Sequence, residues 1–189
     1  MRDTMTEYDR GRGFGETAAV AVWIALVTIG SVLGSLAFAC AAPLAAMAAV
    51  AGLKMRAPEG MALVGTAWLA NQIVGFLVLG YPHTFETYAW GAVLGLSAFA
   101  AYGAAALTTR LRLPSAVAVV AAFLAAFAAD QAVLFGATPL LGMSETGFSS
   151  AAVLLIFQVN VVALAALLVA YWAAVQVRLL RPLTAPAVA

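Results

Sequence analysis

Residues 17–53, TAAVAVWIALVTIGSVLGSLAFACAAPLAAMAAVAGL, carry no charge over the whole stretch. As one helix of about 37 residues they would be ~55 Å long, too long for a single crossing of a ~30 Å hydrocarbon core without extreme tilt. Two helices joined by a tight turn fit better. Gly30, Ser31, Gly34 and Ser35 offer the bend, and Pro43 can stand in the first turn of the second helix or kink it.

The basic residues decide between the two readings. Every Lys and Arg lies in the amino-terminal tail, at Lys54/Arg56, at Arg110/Arg112 or at Arg178/Arg181. If all four groups are cytoplasmic, as the positive-inside tendency prefers, an even number of crossings separates each pair. Counting residues 17–53 as two crossings satisfies that parity. The expected architecture is an all-α integral membrane protein, a bundle of six transmembrane helices at about 17–34, 36–53, 61–80, 88–108, 115–136 and 150–177, with both termini cytoplasmic. Residues 1–16 read as a flexible cytoplasmic tail and 182–189 as a second one.

Composition agrees with this reading. Hydrophobic residues make up 65% of the 189-residue chain and charged ones 9%, far from the balance of soluble domains. Almost nothing is left for a soluble domain. A net charge of +1 argues against a nucleic-acid partner, which calls for a concentrated basic face. The lipid bilayer is the expected partner, and a bacterial inner membrane the expected location. The lone Cys40 excludes an intramolecular disulfide and gives no CxxC motif.

Polar residues inside apolar helices mark candidate sites, because their burial in lipid is costly unless they are paired or face water. Asp130 is the sharpest, lying about six residues, or ~9 Å, inside the outer end of its expected helix. Asn71 and Gln72 in the third expected helix, and Gln158 and Asn160 in the sixth, add four amides. Neighbours on a helix point about 100° apart, so one member of each pair can face a central site while the other bonds an adjacent helix. The segments Ala70–Phe76 (ANQIVGF) and Ala129–Phe135 (ADQAVLF) share the pattern A-[N/D]-Q-x-V-x-F, the trace expected of a duplicated hairpin.

His83, the only histidine, stands in the loop between Tyr81 and Tyr88. Alone it makes a weak metal site, and bis-histidine haem ligation within one chain is excluded. With Trp68 and Trp90 it is expected to shape the entrance to a site, against the plainer reading of an aromatic belt at the membrane surface. No nucleophile–base arrangement, P-loop or carboxylate pair is visible. The expectation is therefore no enzyme, no metal and no cofactor. Gly30/Gly34 and Gly91/Gly95 are GxxxG pairs, which permit close helix approach.

In plan, with six short Ala/Gly-rich helices, both termini inside, no nucleotide motif and polar residues toward the outer half, the chain resembles the substrate-binding S component of energy-coupling factor vitamin transporters. The resemblance rests on architecture. Ala21, Ala25, Gly30 and Gly34 are similar in kind to the small-residue face by which that family docks its coupling subunit. The family implies a vitamin or metal-related ligand bound from outside, with transport driven by separate ATPases. The sequence lacks the amino-terminal His motif of the cobalt and nickel members. The functional expectation is a small-solute binding and uptake subunit whose ligand meets Asn71, Gln72, Asp130, Gln158 and Asn160. The alternative is a structural or assembly subunit of a larger membrane complex, in which the amides hold helices together.

Overall fold

The computed structural model describes residues 3–37, 43–141 and 149–180, with side chains described from residue 15 onward and not at 35–37. The expected tail at 182–189, Cys40 and most of the last outer loop lie outside the described residues. Six α-helices are described: α1 (Asp3–Ala37), α2 (Leu44–Lys54), α3 (Ala57–Leu77), α4 (Phe85–Thr108), α5 (Ser115–Ala137) and α6 (Ser150–Gln176), with short 3₁₀ turns at Thr109–Leu111 and Pro139–Leu141. Five are long and apolar enough to cross a membrane, namely all except α2. The molecule is therefore an all-helical, multi-pass membrane protein.

The departure from expectation is at residues 17–53. Helix α1 runs straight through Gly30 and Gly34 to Ala37, and the bend expected near 34–36 is absent. In lipid every backbone polar group needs an internal partner, so glycine alone does not open a helix there as it would in water. At its other end α1 begins at Asp3, where an irregular tail is expected. The second crossing expected at about 36–53 is instead α2, an 11-residue helix, ~16 Å long and too short to span.

Helix α2 sits at the centre of the bundle. Its residues Leu44 to Ala51 are all buried, as expected of a helix apolar on every side. Five of those eight are alanine, so neighbouring helices can approach closely from several directions. Ala98, Ala101 and Ala105 on α4, and Ala122 and Ala126 on α5, meet it with 0% exposure. At Gly52 the approach is closest, since a Cβ there would stand 2.9 Å from the Ala106 backbone nitrogen. This position admits only glycine without backbone movement.

Outside this centre the helices turn large apolar residues outward. Leu26, Ile29 and Leu33 on α1, and Leu154, Leu155 and Val162 on α6, are each about half exposed or more. Patches of that extent are normal where lipid or a partner protein covers them. The basic ends of the helices gather at one end of the bundle. Lys54 places its ammonium 5.7 Å above the Tyr171 ring near the Arg178 end of α6, Gly52 packs on α4 just before Arg110 and Arg112, and Trp23 of α1 meets Tyr171 edge-on at 6.1 Å. Half a crossing of helix, α2, thus delivers Lys54 to the end of the bundle that carries Tyr171.

The end of α3 is fixed by its own chemistry. Arg56 donates its backbone N–H to Glu59 at 3.2 Å, closing the amino-terminal turn. Beyond the carboxyl end Gly80 takes φ +67°, a left-handed conformation that glycine adopts at little cost, and Tyr81 donates its N–H back to the Gly75 carbonyl at 3.0 Å.

Candidate functional site

The sequence-predicted polar residues are spread over four places. Among the described residues no hydrogen bond joins any two of Asn71, Gln72, Asp130, Gln158 and Asn160. Each has its own local environment.

Asn160, 1% exposed, accepts the Ala46 backbone N–H of α2 at 3.0 Å and donates to the Ile156 carbonyl at 2.9 Å. A helix beginning inside the bundle leaves first-turn N–H groups without intrahelical partners. Pro43 at the N-cap has no side-chain oxygen to offer, so Asn160 supplies the cap from another helix. Two positions earlier Gln158 is exposed, consistent with the ~200° between residues two apart.

Asn71 is half-buried and donates to the Ala67 carbonyl at 3.0 Å and to the Ser31 hydroxyl on α1 at 3.5 Å. Trp68 and Gln72, one turn apart on α3, both lie on the glycines of α4. The Trp68 indole donates to the Gly91 carbonyl at 2.8 Å. A Cβ at Gly95 would come within 2.8 Å of the Trp68 ring, and one at Gly91 within 2.6 Å of the Gln72 amide oxygen. The GAVLG pair is thus an internal α3–α4 contact. Helices α5 and α6 meet differently, through the rings of Phe123, Phe127 and Phe157, so the two hairpins sharing the A-[N/D]-Q-x-V-x-F pattern are not packed alike.

Asp130 is 6% exposed. One carboxyl oxygen, Oδ2, accepts from the Gln131 amide nitrogen at 3.1 Å, and Ser97 of α4 lies beside the carboxyl. The Ser97 hydroxyl itself donates to the Leu94 carbonyl at 3.0 Å. The other carboxyl oxygen, Oδ1, and the Gln131 amide oxygen are both buried without a hydrogen-bond partner.

His83 is exposed, with Nδ1 2.7 Å from the Tyr88 hydroxyl. Phe76 anchors the loop, stacking on Tyr88 at 4.9 Å and lying 5.4 Å from the His83 ring and 6.2 Å from Tyr81. Trp90 is half-buried in the second turn of α4. The rings of Phe76, Tyr81, His83 and Tyr88 form an aromatic cluster on the α3–α4 connection. Among the described residues no group of three or more His, Cys, Asp or Glu could hold a metal ion.

The space in the molecule lies elsewhere. A cavity of about 680 Å³ opens between α1 and α6 and reaches inward to Pro43 and Met47 of α2. Its wall is almost wholly apolar: Trp23, Val27, Gly30 and Gly34 on one side, Val159, Ala163 and Leu167 on the other. At Gly30 and Gly34 an added Cβ would meet nothing within 4 Å, so the GSVLG pair faces open space. Ala21 and Ala25 of the same helix are exposed. None of the eight ligand-binding candidates from the sequence lines this cavity. The residues missed were Trp23, Pro43 and Met47, ordinary members of an apolar run with no local mark to distinguish them. A scan against protein-family models finds no match, and searches of curated proteins and of solved structures find none either.

Proposed function

We propose that the protein is a membrane-embedded binding subunit for a small, largely apolar solute held between α1, α2 and α6. The observation that carries this reading is the cavity of about 680 Å³, within the range of ~300–1,000 Å³ typical of small-molecule sites. Its lining favours hydrocarbon or aromatic surface over hydrogen-bonding groups, which replaces the polar vitamin-like ligand expected from the amides. The amides act as connections between helices. On this reading the protein carries out no chemistry of its own. Uptake, if that is the outcome, depends on separate energised subunits in a bacterial inner membrane with the basic end cytoplasmic, the arrangement that the S-component resemblance implies.

The test uses positions where the fold tolerates bulk. Gly30→Leu places a side chain into open space and improves helix propensity by up to about 1 kcal/mol. Native mass spectrometry of the wild-type protein released from its membrane is expected to show one additional bound small molecule. Gly30→Leu and Gly34→Leu are expected to lose it with thermal stability unchanged or raised. An identical bound mass in wild type and both variants would rule the site out.

A second reading rests on one observation, the exposed Ala21 and Ala25 beside open Gly30 on α1. In that reading the α1 face docks another membrane subunit, whether coupling or structural. Stoichiometric partners that include ATP-binding proteins would place the chain in a transporter. Partners without them would make it an assembly subunit.

A further inference from the structure

We propose that Asp130, Gln131 and Ser97 form a binding site for a monovalent cation, a proton or Na⁺, inside the bundle and apart from the α1–α2–α6 cavity. The site is built from orphaned oxygens. Asp130 Oδ1 and Gln131 Oε1 are buried acceptors with no donor, on adjacent residues already joined by the Gln131 amide nitrogen donating to Asp130 Oδ2 at 3.1 Å. The Ser97 hydroxyl lies beside the carboxyl and also within hydrogen-bond reach of the Leu94 carbonyl at 3.0 Å, so its oxygen can turn toward a bound ion. Two buried acceptors left without a donor are costly unless something positive lies between them.

Among the described residues no side chain supplies that charge. Helix α5 packs on α4 and α2 and touches α6. The titratable groups of those helices are engaged elsewhere or stand at helix ends. Tyr102 donates to the Ala57 carbonyl at 3.3 Å, Lys54 sits over the Tyr171 ring, and Tyr88 meets His83. Glu86 is in the first turn of α4, and Arg110, Arg112 and Arg178 are exposed at the basic end. Among the described residues the groups acting on the Asp130 carboxyl are Ser97 and Gln131 alone.

The site holds Asp130 ionised beside Na⁺ or neutral with a proton.

Infrared difference spectroscopy on the full-length protein in lipid nanodiscs decides the matter. The expected result is a protonated-carboxyl band in sodium-free buffer that is missing in Asp130→Asn. If sodium chloride bleaches it and choline chloride does not, the cation is Na⁺, and Gln131→Leu then weakens the sodium effect about tenfold by removing a ligand oxygen. If only a rise in pH bleaches it, the cation is a proton. Should Asp130→Asn fail to assemble, Ser97→Ala identifies the band by shifting its frequency without abolishing it. Absence of any Asp130-dependent carboxyl band at every pH, together with no sodium-induced change in the carboxylate region, overturns the proposal.

Discussion

Gly52→Val is expected to be the most damaging single substitution in the described bundle. The new Cβ would stand 2.9 Å from the Ala106 nitrogen and 3.2 Å from the Ala105 carbonyl carbon. Those are backbone atoms of α4, which cannot step aside as a side-chain tip can. Valine adds two further methyls to the clash, so α2 and α4 must separate along the alanine contact formed by Ala98, Ala101 and Ala105. Overpacking of a close-packed interior costs about 1–3 kcal/mol, and a backbone clash belongs at the upper limit, about 3 kcal/mol. Thermal unfolding in detergent should show a lowered midpoint or loss of the monodisperse protein. Gly103→Val serves as control, because a Cβ at Gly103 meets nothing within 4 Å.

Asn160→Leu is expected to follow closely. Leucine has similar volume but cannot accept the Ala46 N–H, which is left buried where water is excluded. An unsatisfied buried backbone donor costs about 1–3 kcal/mol and a lost helix cap about 1 kcal/mol, so a loss of about 2 kcal/mol is expected. Asn160→Asp keeps the acceptor but loses the donor to Ile156 and adds a charge. It should fall below the wild type in stability. Gln158→Leu, on the exposed face of the same turn, should change stability by less than about 0.5 kcal/mol. Equilibrium unfolding of the three variants in mixed micelles separates these outcomes.

How much of this was legible in the sequence depends on the kind of signal. The long apolar runs of α3 to α6 were placed within a few residues because length and hydropathy report directly on lipid exposure. The gathering of basic residues at one end likewise follows from where Lys and Arg occur. The second helix misled because apolar sequence reads the same whether it is covered by lipid or by protein. LAAMAAVAGL is hydrophobic enough to cross a membrane, but its small residues let four helices close over it. The bend assigned to Gly30 and Gly34 failed for a related reason, since glycine breaks helices mainly where water can take over the backbone.

The polar residues divide in the same way. That Asp130 and Asn160 are buried was readable from their places in apolar helices. That they serve different neighbours depends on helix rotation, which a chain apolar on every side does not encode. Ser97 and Trp23 gave no warning at all. Their surroundings are set by residues 33 and more positions away, Asp130 and Tyr171 among them.

The claim that the space between α1 and α6 is a ligand site is tested most directly at Trp23, which is 2% exposed and lines the cavity. A protein in which Trp68, Trp90 and Trp172 are replaced by Phe reports on that residue alone. Titrated with a short brominated alkyl probe in nanodiscs, its fluorescence is expected to fall along a saturating curve that ends at one probe per protein. Gly30→Leu is expected to abolish the saturating phase. Quenching that rises in proportion to the probe content of the bilayer, without saturation and unchanged by Gly30→Leu, would show that ordinary lipid fills the space and would contradict the account.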